Sequence, residues 1–173
     1  QVIDVVTMFK PITKWYTRIT ASSTVNEAVR KAFKVAEMEK PGPTHLELPE
    51  DVAAMEAHDE PLSREKVRRA APDHKALFQA IELINASKKP LILAGNGAIR
   101  KLASNQLRLF VEKTGIPVVS TFMGKGAVSD EWGESLMTIG LGASPELMSV
   151  FKATDLVISV GYDIAEIDPI KWN

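Results

Sequence analysis

Apolar residues along this chain recur at two spacings, and each spacing predicts its own kind of element. Val25, Ala28, Val29, Ala32, Phe33 and Ala36 fall three or four apart, which places them on one stripe of a helix. Thr24-Val25-Asn26-Glu27 precedes them in the pattern of a capping box, and Lys40-Pro41-Gly42-Pro43 stops the helix because proline cannot donate into it. Thr44-His45-Leu46-Glu47-Leu48 then alternates polar and apolar residues, which predicts a strand ended by Pro49. Helical spacing returns at Ala76, Leu77, Ala80, Ile81 and Ile84, with Asp73 as the cap. Short continuous apolar runs follow at Leu91 to Ala94, Ile116 to Ser120 and Asp155 to Gly161, the mark of strands buried on both faces. Between them lie a helix from about Ile99 to Lys113, with Leu102, Leu107, Phe110 and Val111 inward and Gly115 just past its end, and a short helix opened by Ser144-Pro145-Glu146. The first residues, Val2-Ile3-Asp4-Val5-Val6, read as a strand end, and Pro11 marks a loop after it.

Strand, helix, strand, helix, strand predicts an α/β fold, a parallel sheet with flanking helices. Ligands of such sheets sit beyond the carboxyl ends of the strands. Here those ends are Gly95 to Gly97, Ser120 to Gly126, and Gly161 to Asp163. Gly95-Asn96-Gly97 begins the glycine pattern of a dinucleotide turn, and a helix starting there would aim its free N–H groups at an anion. The third glycine is replaced by Arg100, and no acid follows the next strand, where Val119-Ser120-Thr121-Phe122 stands. A turn that needs glycine for geometry alone explains the same residues. Thr121-Phe122-Met123-Gly124-Lys125-Gly126 combines a hydroxyl, two glycines and a lysine. It could nest a phosphate, or be a loop that needs glycine.

The chain has 173 residues, a net charge of -1 and no cysteine. Thiol catalysis, disulfides and cysteine zinc sites are excluded, and nothing in the charge calls for nucleic acid or an anionic membrane. No apolar run reaches the length of a membrane span, and the composition suits a cytoplasmic protein. From Glu50 to Pro72, acids (Glu50, Asp51, Glu56, Asp59, Glu60) give way to bases (Arg64, Lys66, Arg68, Arg69), between Pro61 and Pro72. That stretch reads as a surface linker, and His58 within it earns no role. His45 has no second ligand-type residue at useful spacing, so no metal site is expected. Lys14, beside Trp15 and Tyr16, could bind an anion, stack on a ring, or lie solvated over one. The chain begins at Gln1 and stops just after a strand-like run, which suggests a segment of a longer protein.

Five stretches in register resemble the acetolactate synthase large-subunit family of thiamine-diphosphate enzymes. They are Pro11-Ile12-Thr13-Lys14; Lys40 to Pro43 with His45 to Val52; Leu93-Ala94-Gly95-Asn96-Gly97; Gly115 to Val119 with Met123 to Gly126; and Ala153-Thr154-Asp155-Leu156 to Gly161. The resemblance implies that residues 1–52 end a pyrimidine-binding domain, 53–71 link, and 72–173 begin a Rossmann-like central domain, incomplete here. It implies an intact enzyme that joins two pyruvates to 2-acetolactate with loss of CO2, as a homodimer or homotetramer. Thiamine diphosphate and Mg2+ would bind outside this segment, which would hold no catalytic residue, although Lys14 matches a lysine near the family's substrate channel. Gly95, Asn96, Gly97, Thr121 and Gly124 match positions near the flavin of biosynthetic members, here a vestigial nucleotide site. The family's R-F-D-D-R stretch is replaced by Tyr162-Asp163-Ile164-Ala165-Glu166-Ile167-Asp168, and its G-M-H-G by Ile139-Gly140-Leu141-Gly142. Both arginines are gone, so FAD is not expected, and the Gly161-Tyr162-Asp163 ending resembles the catabolic, FAD-independent type. The alternatives are a pyruvate oxidase or other 2-oxoacid carboligase, and, from another class, a non-catalytic nucleotide-binding or assembly module.

Overall fold

The computed structural model describes residues 3–63, 70–140 and 144–172, the side chains of 101 and 102 excepted. The expectations for Val2, for the basic run Arg64, Lys66, Arg68 and Arg69, for Leu102 as an inward side chain, and for Leu141 and Gly142 lie outside the described residues. Two compact units divide the chain at Ala71 and Pro72.

The first unit opens with a helix, α1 (Val5–Phe9), where a strand end was expected. Asp4 decides this, because its carboxylate accepts from the Thr7 backbone N–H at 3.1 Å and so satisfies a free amide of the first turn. Pro11 sits in a 3-10 turn, Lys10–Ile12, rather than a loop. A strand that apolar spacing did not reveal follows, β1 (Trp15–Arg18). It is short and mixed in polarity, and its pairing is what makes it a strand. Its parallel partner is β2 (Thr44–Glu47), in the register Trp15 to Thr44 through Arg18 to Glu47. Arg18 Nε meets Glu47 Oε2 at 2.8 Å along that register. The crossover is α2 (Val25–Glu37). Its expected capping box is not made: the Thr24 hydroxyl donates to the Ala21 carbonyl at 2.8 Å and caps nothing. The α2 stripe is only partly covered, since Ala32 is buried while Phe33 is 60 % exposed. A short helix, α3 (Glu50–Ala53), buries Val52 at the start of the expected linker.

The second unit is a four-stranded parallel sheet, one strand more than expected. It opens with α4 (His74–Ala86), capped by Asp73, whose carboxylate accepts from the Ala76 amide at 3.0 Å. Helix and cap agree with the sequence, but the stripe is not buried. Leu77, Phe78, Ile81 and Leu83 are exposed, and among the described residues only Ile84 reaches the core. Spacing makes a helix amphipathic, but only a neighbouring surface can cover it. The remaining elements are β3 (Pro90–Ala94), α5 (Lys101–Thr114), β4 (Val118–Thr121), β5 (Ser135–Ile139), α6 (Pro145–Ala153) and β6 (Leu156–Val160). The strand order is β5-β4-β3-β6. The missed strand β5 bulges against β4, with three residue steps from Ser135 to Thr138 opposite two from Val118 to Ser120. Met137, at a φ of +72°, takes up the extra residue. A bulged strand breaks the alternation that sequence reading depends on.

Alternate residues of β3 enter two cores. Ile92 and Ala94 pack with Leu107, Val111 and Val118 on the α5 face, while Leu91 and Leu93 pack with Val119, Ile139, Leu147 and Phe151 on the α6 face. Gly115 ends α5 in the left-handed conformation, φ +65°, and its N–H reaches the Val111 carbonyl at 2.8 Å. Ser144 caps α6 by accepting from the Leu147 amide at 3.2 Å.

At the amino end of the sheet, Asp155 ties β6 to the turn before β3. Its carboxylate accepts from the Ser87 hydroxyl, from Lys88 N–H at 2.8 Å and from Lys89 N–H at 3.0 Å. The serine hydrogen bond first, then the two amides, hold its pKa below the ordinary aspartate value of 3.8. A lowered carboxylate pKa contributes stability that is complete above the ordinary value and is lost as pH falls through the folded-state value. Asp155→Asn is therefore expected to flatten the acid limb of the stability curve below about pH 4, with little change near neutrality in that slope. Urea midpoints across an acid series would check this, and an unchanged acid limb would dismiss it.

Candidate functional site

The carboxyl ends of β3, β4 and β6 converge, and their backbones touch. Gly95 N–H donates to the Val160 carbonyl at 2.9 Å, and Gly97 N–H to the Gly161 carbonyl at 2.8 Å. A Cβ on Gly97 would lie 2.7 Å from the Gly161 Cα, and one on Gly124 would lie 2.1 Å from the Ala94 carbonyl oxygen. Both sites exclude any side chain because main chain passes over main chain there. At both glycines, backbone packing by itself calls for the absence of a side chain.

The helix expected from about Ile99 begins two residues later, so it does not start at the glycine turn itself. Residues Asn96–Ile99 form a 3-10 turn, Arg100 is extended, and α5 begins at Lys101. The free amides of its first turn are therefore displaced from Gly95 and Asn96. What meets the Asn96 amide is a carboxylate of the chain itself. Glu166 Oε1 and Oε2 accept from Asn96 N–H at 3.0 and 3.1 Å. Glu166 Oε1 also accepts from Asp163 N–H at 3.0 Å, and Thr121 Oγ1 donates to Glu166 Oε2. One carboxylate thus takes a donor from each of the three strand ends. Thr121 is buried, and its oxygen accepts in turn from Gly124 N–H at 3.0 Å, which orders the β4 loop.

Glu166 is held from behind. Ile167 is buried in the α6-side core, the Tyr162 hydroxyl donates to the Ile167 carbonyl, and Trp172 meets Tyr162 edge to face with ring centres 5.7 Å apart. Sequence reasoning passed over Glu166. The signal was there, an acid within the stretch that replaces R-F-D-D-R, but it was read only as a loss of arginine.

The other candidates fall elsewhere. The Lys125 ammonium is 3.1 Å from Asp130, so the charge of the β4 loop is already paired, and Arg108 holds that loop through the Gly126 and Ala127 carbonyls, each at 2.9 Å. Lys14, in the first unit, donates to the carbonyls of Val35 at 2.7 Å and Met38 at 2.8 Å, where the C-terminal end of α2 presents free acceptors. The cation over the Trp15 ring is Lys31, 4.6 Å from its centre, rather than Lys14. His45 stacks flat on Phe9 with ring centres 4.1 Å apart. Among the described residues, no group of three or more His, Cys, Asp or Glu could hold a metal ion, and no helix is long and apolar enough to cross a membrane.

Residues 77–172 match the family model for the central domain of thiamine pyrophosphate enzymes. A probable acetolactate synthase large subunit from Methanococcus aeolicus is 34 % identical, over 93 % of this chain and 28 % of that protein. A catabolic acetolactate synthase from Raoultella terrigena is 32 % identical, over 100 % of this chain and 31 % of that protein. A 3D-(3,5/4)-trihydroxycyclohexane-1,2-dione hydrolase from Lacticaseibacillus casei is 33 % identical, over 89 % and 25 %. A solved structure from Mycobacterium smegmatis, assigned to the thiamin diphosphate-dependent enzymes, superposes with a TM-score of 0.80 at 29 % identity, covering 93 % of this chain and 31 % of that one. This chain spans less than a third of the length of each of these relatives.

Proposed function

The chain belongs to the thiamine pyrophosphate enzyme family, and we propose that the intact protein is an acetolactate synthase of the FAD-independent type. It would condense two pyruvates to 2-acetolactate with loss of CO2. Thiamine diphosphate, with Mg2+, supplies the electron sink for decarboxylation. No residue of this segment needs to touch the reacting atoms in that reading. Residues 1–52 complete a pyrimidine-binding domain, 53–71 link, and 72–173 form part of the central domain of a cytoplasmic homodimer or homotetramer. Lys14 holds the C-terminal end of α2 through the Val35 and Met38 carbonyls.

The observation that carries the FAD-independent reading is Glu166. A flavin pyrophosphate at this switch point would need the donors that the carboxylate already engages, and it would face a like charge. The residues present do not fit that group. Similarity to acetolactate synthases, a catabolic one among them, supports the choice of reaction. A glyoxylate carboligase from Escherichia coli O157:H7, 28 % identical over 93 % of this chain and 28 % of that protein, supports a second reading, a different 2-oxoacid carboligase or a pyruvate oxidase on the same scaffold.

The test is acetolactate formation from pyruvate by the intact protein with thiamine diphosphate and Mg2+, with and without added FAD. Equal rates are expected. Activity only with FAD would overturn the FAD-independent reading, and absence of acetolactate in both would leave the oxidase or carboligase.

A further inference from the structure

We infer that the carboxyl ends of β3, β4 and β6 form an oxyanion cradle whose resident ligand is the chain's own Glu166 carboxylate. Three donors converge on it from three separate strands: Asn96 N–H, Asp163 N–H and the Thr121 hydroxyl. Two are backbone groups that cannot turn away, and the third is fixed because Thr121 is buried and also accepts from Gly124. The cradle is shaped to the carboxylate. A Cβ on Gly95 would lie 2.5 Å from the Tyr162 Cα and 2.7 Å from the Gly161 carbonyl oxygen, so backbone excludes a side chain there, and that Cβ position is also 2.9 Å from Glu166 Oε1. The packing of Ile167, Tyr162 and Trp172 delivers the carboxylate to this place.

Donors preorganised around an oxyanion keep their geometry when its tether is cut. The chemical class the cradle takes is therefore a small oxyanion, with acetate as the nearest copy of the glutamate head and inorganic phosphate as a second probe. In the native protein Glu166 excludes both. The inference stands on local geometry and does not depend on which reaction the enzyme performs.

The experiment is the melting temperature of the intact protein and of its Glu166→Ala variant, in sodium chloride and in sodium acetate or phosphate at equal ionic strength. An anion that binds only the folded state stabilises it by mass action. Glu166→Ala is expected to melt several degrees lower in chloride and to recover most of that loss, saturably, in acetate. The native protein should melt alike in both salts. Adding Thr121→Val to Glu166→Ala should abolish the recovery. Should Glu166→Ala not fold, Glu166→Gln, which still fills the cradle but presents an NH2 where an oxyanion met donors, should melt lower than the native protein and gain nothing selective in acetate, and a Glu166→Gln variant as stable as the native protein would overturn the oxyanion class of the cradle. Loss of stability without selective recovery in acetate or phosphate would overturn the cradle and leave Glu166 as a tether only. An unchanged melting temperature of Glu166→Ala in chloride would overturn it as well. The readout is independent of acetolactate formation, so failure of either test leaves the other standing.

Discussion

Gly161→Ala is expected to destabilise the protein by about 3 kcal/mol, the sum of two separable penalties. Gly161 has a φ of +60°, in the left-handed region where an L side chain costs roughly 1–2 kcal/mol. Its surroundings add the rest. A Cβ there would lie 2.4 Å from the Ala98 nitrogen and 2.5 Å from the Gly97 Cα, and both neighbours are backbone, with no rotamer to yield. Overpacking of that kind costs roughly 1–3 kcal/mol. Gly115 provides the internal control. Its φ of +65° is nearly the same, but nothing lies within 4 Å of the position a Cβ would take. Gly115→Ala should therefore lose only the conformational part, about 1 kcal/mol. The urea midpoints of the two variants would decide the matter. Equal losses would mean that the two turns can part at little cost, and the close approach of β3 and β6 would no longer explain the glycines.

Leu93→Ala should cost about 2–5 kcal/mol, with the upper half of that range more in keeping with its surroundings. Leu93 is 0 % exposed, on a strand paired on both sides, among Leu91, Val119, Ile139, Leu147, Phe151 and Ile167. Its neighbours are anchored in two other strands and a helix, so they cannot close on the space left behind. Leu93→Met, which nearly conserves volume, should cost less than about 1.5 kcal/mol. The measurement is again the urea midpoint at unchanged slope. A small loss for alanine would show that this core collapses freely, against the view of β3 as the rigid centre of the sheet.

Much of this protein was legible from residue order. The runs Leu91 to Ala94 and Ile116 to Ser120 hold the strands β3 and β4 because an apolar run suits burial on both faces, and both faces are covered here. Local chemistry marked the starts and stops: Asp73 and Ser144 cap helices, and Gly115 closes one. These signals act within a few residues, so they need no knowledge of the fold.

Where neighbours decide, the outcome departed from the pattern. Thr24 had the residues of a capping box and turned its hydroxyl to Ala21 instead. β1 and β5 became strands only through β2 and β4, their pairing partners. Phe33 and Leu77 carry helical spacing yet remain exposed. Glu166 is the extreme case. Sequence places it 45 residues from Thr121 and 70 from Asn96, and no periodicity links positions so distant. The sequence alone determined α2, α4, α5 and α6 and the strands β2, β3, β4 and β6, and that glycine-bearing turns follow β3, β4 and β6. Only the tertiary structure decided that those turns pack on one another and receive a carboxylate, because hydrogen-bond partners are chosen by proximity in space, which local propensity does not encode.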